Sequence, residues 1–401
     1  MFKFTKSVAI PLFFVLFLFI GCGGGGSSGD DTDTQTSDDT KVYNEYFVSS
    51  DGSDSADGSK EHPFKSIQKA LELLEPGDVL SIRGGTYPID VNVTISGIMD
   101  KPITIQAYSG EKVVFVGPYG DDKQYDTTRN LFSDSFVVKG SWLIIKDLEI
   151  KNAATAIYVG GGASNNIFEN LSLHDNYWSG MILTDGASFN TVINCDSYHN
   201  YDSNTHGQHA DGFVIAGHDT DSTPYVGEGN RFEGCRSWGN ADDGYDCWEA
   251  GNKVEFINCL SYDNGKNIWD DSDFQGDGNG FKLGVNNQDH PQDAHYVEGC
   301  KSWDNNSRGF DSNDNTVAME IVRNVAWRDL NSGYKFILAP HHLVENIAID
   351  CGENYIDDEA IEENNSWNGL SYTIKSFDDT AIRGPRDEDG NFVVDGFLER
   401  E

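Results

Sequence analysis

Aspartate precedes glycine at Asp211-Gly212 and at Asp243-Gly244, and a large aromatic residue, Phe213 or Tyr245, follows each glycine. The same small-then-large pair recurs at Gly180-Met181, Gly280-Phe281, Gly309-Phe310 and Gly333-Tyr334. Aligned on these glycines, the preceding position reads Ser179, Asp211, Asp243, Asn279, Arg308 and Ser332. The second position after the glycine reads Ile182, Val214, Asp246, Lys282, Asp311 and Lys335. Stacked as strands about 4.8 Å apart, these copies make Asp211 a neighbour of Asp243 and Asp246 a neighbour of Lys282, with Asp242 as a fourth carboxylate. Like charges near 4 Å repel by about 1 kcal/mol even at water's dielectric, and by more near protein. A hard cation resolves that conflict, and Ca²⁺ takes about 6–8 oxygen ligands from carboxylates, carbonyls and water. The expected chemistry is calcium binding by Asp211, Asp242, Asp243 and Asp246 beside the amine of Lys282. The plain alternative is that these are turn residues on an acidic surface, where Asp-Gly pairs are common; their shared columns argue against it. Two other Asp/Gly-rich runs, 51–58 and 387–390, lack the full EF-hand spacing and are expected to be loops.

The elements that must position these groups follow from a longer repeat. Segments starting at Leu171, Cys195, Cys235, Cys259, Cys300 and Asn324 overlay, with starts separated by 24, 40, 24, 41 and 24 residues. The period is therefore 24 with two insertions, the first lying largely in 216–229. Short alternating runs such as 166–171 and 253–258 fit one coil of an all-β parallel solenoid. Residues of one column then form ladders along the axis. Asn176, Asn200, Asn240, Asn264 and Asn305, continued by Asp329, are expected to bond from coil to coil through their amides. Cys195, Cys235, Cys259 and Cys300 share another column, which favours a buried stack of small apolar side chains over disulfides. Upstream, the apolar spacing of 63–75 predicts an amphipathic helix that covers the first coil. One domain spans 42–375, and 376–401 forms an acidic tail that lies along the stack or is partly loose.

The 401 residues carry 28 basic and 66 acidic side chains, for a formal charge of −38. That balance argues against a nucleic-acid partner, which needs a basic surface. It also repels polyanions unless a bound cation intervenes. At the start, Lys3 and Lys6 precede an apolar run from Val8 to Ile20, the length of an export signal. The end of this leader, 19–22, resembles a bacterial lipobox, so residues 1–22 are expected to be a lipoprotein signal with lipid on Cys22. Residues 23–41 hold a Gly/Ser/Asp/Thr tract that suits a flexible tether to an extracytoplasmic, monomeric domain.

The runs 209–213, 240–246 and 278–284, with 46–54, 76–78, 84–87 and 365–367, resemble the family 9 polysaccharide lyases. The resemblance spans roughly Tyr43 to the C-terminus and implies a right-handed parallel β-helix pectate lyase. It further implies Asp211, Asp242, Asp243 and Asp246 as Ca²⁺ ligands and Lys282 as catalytic base, with de-esterified homogalacturonan as the partner polymer. β-Elimination at a uronate needs removal of the weakly acidic C5 proton and loss of the C4 oxygen. A cation on the substrate carboxylate stabilises the charge that develops. Free lysine titrates near 10.4, so activity is expected to need calcium and to rise into alkaline pH. Arg308 and Lys335 are candidates for neighbouring uronate carboxylates or for plain salt bridges. Trp248 and Trp269 are candidates for sugar stacking or for packing. Two other functions stay open: a polygalacturonase-like hydrolase using paired aspartates, although its Gly-His-Gly and Arg-Ile-Lys motifs are absent, and a non-catalytic glycan-binding solenoid.

Overall fold

The computed structural model describes residues 43–119, 134–217, 225–285 and 291–401. The leader, Cys22 and the tether, together with part of the first insertion, lie outside the described residues. Elsewhere the short alternating runs form strands that stack in register into three parallel sheets of 12, 10 and 10 strands among the described residues. One coil takes a strand from each sheet in turn: Ile167–Glu169, Ser172–His174 and Met181–Leu183 are followed by Thr191–Ile193, Asp196–Tyr198 and Phe213–Ile215. The chain is thus an all-β solenoid, as the repeat predicts.

Inside the third sheet Phe213, Tyr245, Phe281, Phe310 and Tyr334 stack with ring centroids 5.2, 4.6, 4.9 and 5.1 Å apart. Each such contact adds about 0.5–1.5 kcal/mol beyond area burial. The residue after each ring points the other way along the pleat. Asp246, Lys282, Asp311 and Lys335 therefore form one outward column, paired in register across four strands. The glycines before the rings are required by close approach: a Cβ on Gly212 or Gly244 would collide with the hydroxyl of Ser237 or Ser261.

The asparagine ladder forms as expected. Asn200, Asn240 and Asn264 each donate both the backbone N–H and the side-chain amide to the Oδ1 of the next rung, at 2.8–3.2 Å. The four column cysteines are buried and unpaired, as are Cys247 and the half-buried Cys351 as far as disulfides go. The first corner of each coil is made by a residue with positive φ, among them Asn170, Asn194, Asn258, Gly234 and Gly299, the geometry for which Asn and Gly are suited.

Two elements differ in extent from expectation. The helix runs only from Ile67 to Leu71, with Ser66 as its N-cap. Phe64 is held extended against Phe47 and Val48, and Asp54 takes the N–H groups of Lys65 and Ser66, so no helix can start earlier. Residues 51–58 form a loop, as expected. In the tail, a short helix, Thr380–Arg383, buries Ile382. Ile382, Phe397 and Leu398 pack on Tyr262, Trp303 and Trp327 of the second sheet.

Candidate active site

The third-sheet strands Tyr245–Asp246 and Phe281–Lys282, with the turns that lead into them, bring the predicted acidic groups together. Asp211, Asp243 and Asp246 offer carboxylate oxygens that all lie within 4.8 Å of one another. Asp242 belongs to a second such group, with Asp243 and Asp277. The four predicted aspartates, with Asp277, thus form two overlapping triads joined at Asp243. Lys282 lies against them, its Nζ 3.0 Å from Asp243 Oδ2 and 3.4 Å from Asp246 Oδ2. Its ammonium also stands 5.4 Å from the centre of the Trp248 ring, so this tryptophan faces the amine at cation–π distance.

All five charged groups are buried, none more than 8% exposed. Four carboxylates against one ammonium leave three charges uncompensated. Burial pushes the carboxyls of Asp211 and Asp242 well above their ordinary range, and the neighbouring aspartates push them further. Asp246 rises only to about 6, because the Lys282 ammonium offsets part of the burial. For Lys282 burial opposes the charge, but Asp243, Asp246, Asp242 and Asp211 together outweigh it and hold the amine well above its usual value.

Backbone donors from the following coil aim these carboxylates. Asp243 N–H donates to Asp211 Oδ1 at 3.0 Å, and Asp277 N–H donates to Asp242 Oδ1 at 2.6 Å. Asn279 donates to Asp243 Oδ1 from its backbone at 2.6 Å and from its amide at 2.9 Å. Two buried oxygens of the cluster remain without a hydrogen bond: Asp243 Oδ2, which faces the Lys282 ammonium, and Asp246 Oδ1. Oxygen-only donors, mutual proximity and these unsatisfied atoms fit Ca²⁺.

The two other charged candidates stand further along the stack. Arg308 places Nη1 3.0 Å from Asp311 Oδ2, and Lys335 places Nζ 3.0 Å from Asp314 and 3.6 Å from Asp311. Both are engaged in salt bridges, and neither touches the aspartate cluster. Trp269 stacks on Tyr201 at 4.7 Å, within a small packed cluster that includes Ala210 and Ala241. Sequence reasoning missed Asp277, which comes from the second insertion. Its only signal is register, three residues before Gly280 as Ala241 is three before Gly244. His209, which opens the run 209–213, stacks on Trp178 at 5.4 Å two residues from Asp211.

Residues 46–350 match the model of the Pel9A-like right-handed β-helix region. Pectate lyase PEL9 of Emericella nidulans is 34% identical over 88% of this chain and 91% of its own length. Pectate lyase L of Dickeya chrysanthemi is 31% identical over 86% and 81% respectively. Among solved structures, pectate lyase Pel9A superposes with a TM-score of 0.78 at 30% identity, covering 90% of each chain. A rhamnogalacturonan lyase superposes at 0.76 with 25% identity, over 89% of this chain and 96% of that one. With register, glycine column and acidic cluster all in place on such a frame, the chain belongs to the Pel9A-like right-handed β-helix family.

Proposed function

We propose that the protein is a calcium-dependent pectate lyase that cleaves α-1,4-galacturonan by β-elimination, with Lys282 as base and Asp211, Asp242, Asp243 and Asp246 as ligands of Ca²⁺. The observation that carries this reading is one amine set against buried carboxylates, two of whose oxygens lack a hydrogen bond. The relatives named pectate lyase support the substrate class. When bound, Ca²⁺ supplies the positive charge that stabilises the developing enolate-like uronate. The residues of the chain do the rest. Lys282 Nζ takes the C5 proton, the C4–O bond breaks, a double bond forms between C4 and C5, and the departing oxygen takes up a proton. The carboxylates now holding Lys282 protonated must be engaged elsewhere for its amine to act, which ties its role to the filled site. Arg308 and Lys335, next along the stack, exchange Asp311 and Asp314 for carboxylates of neighbouring sugars in this reading. Export, a lipid on Cys22 and action as a monomer on a plant cell-wall polymer belong to the same proposal. The mass of the mature N-terminal peptide tests the lipid.

The test is ultraviolet absorbance of unsaturated products on a panel of polygalacturonate, rhamnogalacturonan and alginate, with calcium and with chelator. Polygalacturonate turnover should need calcium. Lys282→Ala should lose about 10²–10⁴-fold in kcat while still binding calcium and polymer. Full turnover by that variant refutes the assignment of the base. Saturated reducing ends without absorbance point to hydrolysis instead.

A further inference from the structure

The column that supplies Asp211 and Asp243 continues with asparagine at position 279, where a third aspartate would complete the run. Asn279 is buried, only 3% exposed. Its backbone N–H and its Nδ2–H both end on the same atom, Asp243 Oδ1, at 2.6 and 2.9 Å. Its own Oδ1 accepts the N–H of Arg308 at 3.3 Å. That second bond fixes which way the amide faces: oxygen toward the next coil, nitrogen toward Asp243. Asp211 and Asp242 have one such backbone donor each, so Asp243 is the aspartate tethered twice. With Oδ1 saturated, Oδ2 is the atom left free of hydrogen bonds and facing Lys282. Asp243 is also the residue common to both acidic triads, so its orientation sets both.

We infer that Asn279 is a positioning residue: it locks the carboxylate of Asp243 in the orientation that presents Oδ2 to the cation site. This rests on the reading of Asp243 as a calcium ligand. The residue type follows from the chemistry. A carboxylate at 279 would face Asp243 with like charge and no donor, and a hydroxyl is too short to reach Oδ1. Only an amide of this length both donates to Asp243 and accepts from Arg308. Partners that orient metal ligands are typically worth about 10–100-fold in metal affinity or activity.

Calorimetric titration of the whole chain with calcium tests the proposal. Asn279→Ser is the variant of choice, because this column already carries serine at Ser179 and Ser332 and the stack accepts it there. Calcium affinity should fall by about tenfold or more, and lyase turnover should return when calcium is raised to saturation. Asn264→Ala, which removes a buried ladder amide that contacts none of the four aspartates, is the control; it should lower the melting temperature and leave calcium affinity at the wild-type value. Asn279→Ala, followed through the calcium-dependent rise in its melting temperature, gives the same quantity from unfolding, and that rise should shrink. Wild-type affinity in the position 279 variants overturns the role of Asn279 alone. A wild-type chain that binds no calcium overturns the site itself and this inference with it.

Discussion

Asp329 is the one acidic rung of the buried asparagine ladder, and replacing it by asparagine should stabilise the protein in a pH-dependent way. Its Oδ1 accepts the backbone N–H and the amide of Asn305 at 3.1 and 2.9 Å, as an asparagine would. Its Oδ2 is buried and accepts no backbone or amide donor, and beyond Asn305 only the Ser302 hydroxyl bonds to the carboxyl. Burial, only partly opposed by those donors, pushes the carboxyl from 3.8 up to about 7. An acid raised in the folded state stabilises it fully below the unfolded value, and that stability is lost as pH rises through the folded value. The whole span is worth ~4 kcal/mol, of which ~3 kcal/mol falls between about pH 5 and pH 8. Asp329→Asn keeps the Oδ1 acceptor and puts an N–H donor where Oδ2 was. By analogy with Asn264 and Asn305, whose amides donate to the carbonyls of Ser237 and Ser261, the new donor should reach the carbonyl of Ser302. For the ~330 described residues the unfolding entropy is ~0.7 kcal/mol per kelvin. The gain in melting temperature over the wild type should therefore be ~4 °C larger at about pH 8 than at about pH 5. Scanning calorimetry of both proteins at the two pH values measures it. An equal gain at both, or a loss at the higher pH, refutes the argument.

The other buried polar groups lead to further outcomes. His295 accepts the Val254 N–H at 3.1 Å through Nδ1, and burial lowers its pKa from 6.5 to about 4. A base lowered in this way costs stability as pH falls through that window, by up to ~3 kcal/mol; His295→Asn, which retains an acceptor, should remove this acid sensitivity in melts from about pH 7 to pH 4. If the acidic cluster holds calcium, the melting temperature should climb with calcium concentration, by ~4 °C at a hundredfold excess over the dissociation constant, and chelator should abolish the rise. Arg383 pairs with Asp263, Asp304 and Asp379 and lies over the Tyr262 ring; Arg383→Ala should cost about 2 kcal/mol and open residues 376–401 to limited proteolysis.

Much of this architecture was legible because parallel, in-register stacking turns sequence period into spatial adjacency. Residues of one column land on neighbouring rungs even across an insertion, so aligning Gly244 with Gly280 was enough to set Asp246 beside Lys282. Legibility failed where the chain leaves the period. Asp277 sits at the end of an insertion, and what brings it to Asp242 is a backbone bond that no column records. Register sets Lys335 beside Asp311, but the pairs Arg308–Asp311 and Lys335–Asp314 depend on side-chain reach. The helix start was hidden because Phe64 and Asp54, 10 residues apart, jointly commit the preceding backbone to other partners. Tail packing is likewise non-local, joining Phe397 to Trp303 and Trp327.

Where the repeat departs from its own pattern, the departures point to function. Ser179 and Ser332 occupy the column of Asp211 and Asp243, so the coil can be built there without a charge. The outward column is likewise apolar at Ile182 and Val214 before it turns to Asp246 and Lys282. Acid and amine are therefore not demanded by the fold. Burying four carboxylates with one ammonium opposes folding, since desolvated charges cost several kcal/mol each unless paired. A solenoid tolerates this because each coil rests chiefly on its two neighbours, and the aromatic stack behind the site, from Phe213 to Tyr334, supplies packing independent of the charges. The strain is confined to three adjacent rungs, and a cation that entered would relieve it. Neutralising one of the four, as in Asp242→Asn, should therefore raise the melting temperature in chelator and lower it, relative to wild type, in saturating calcium. That crossing of the two curves is the signature of residues retained for binding and not for stability, and parallel curves would refute it.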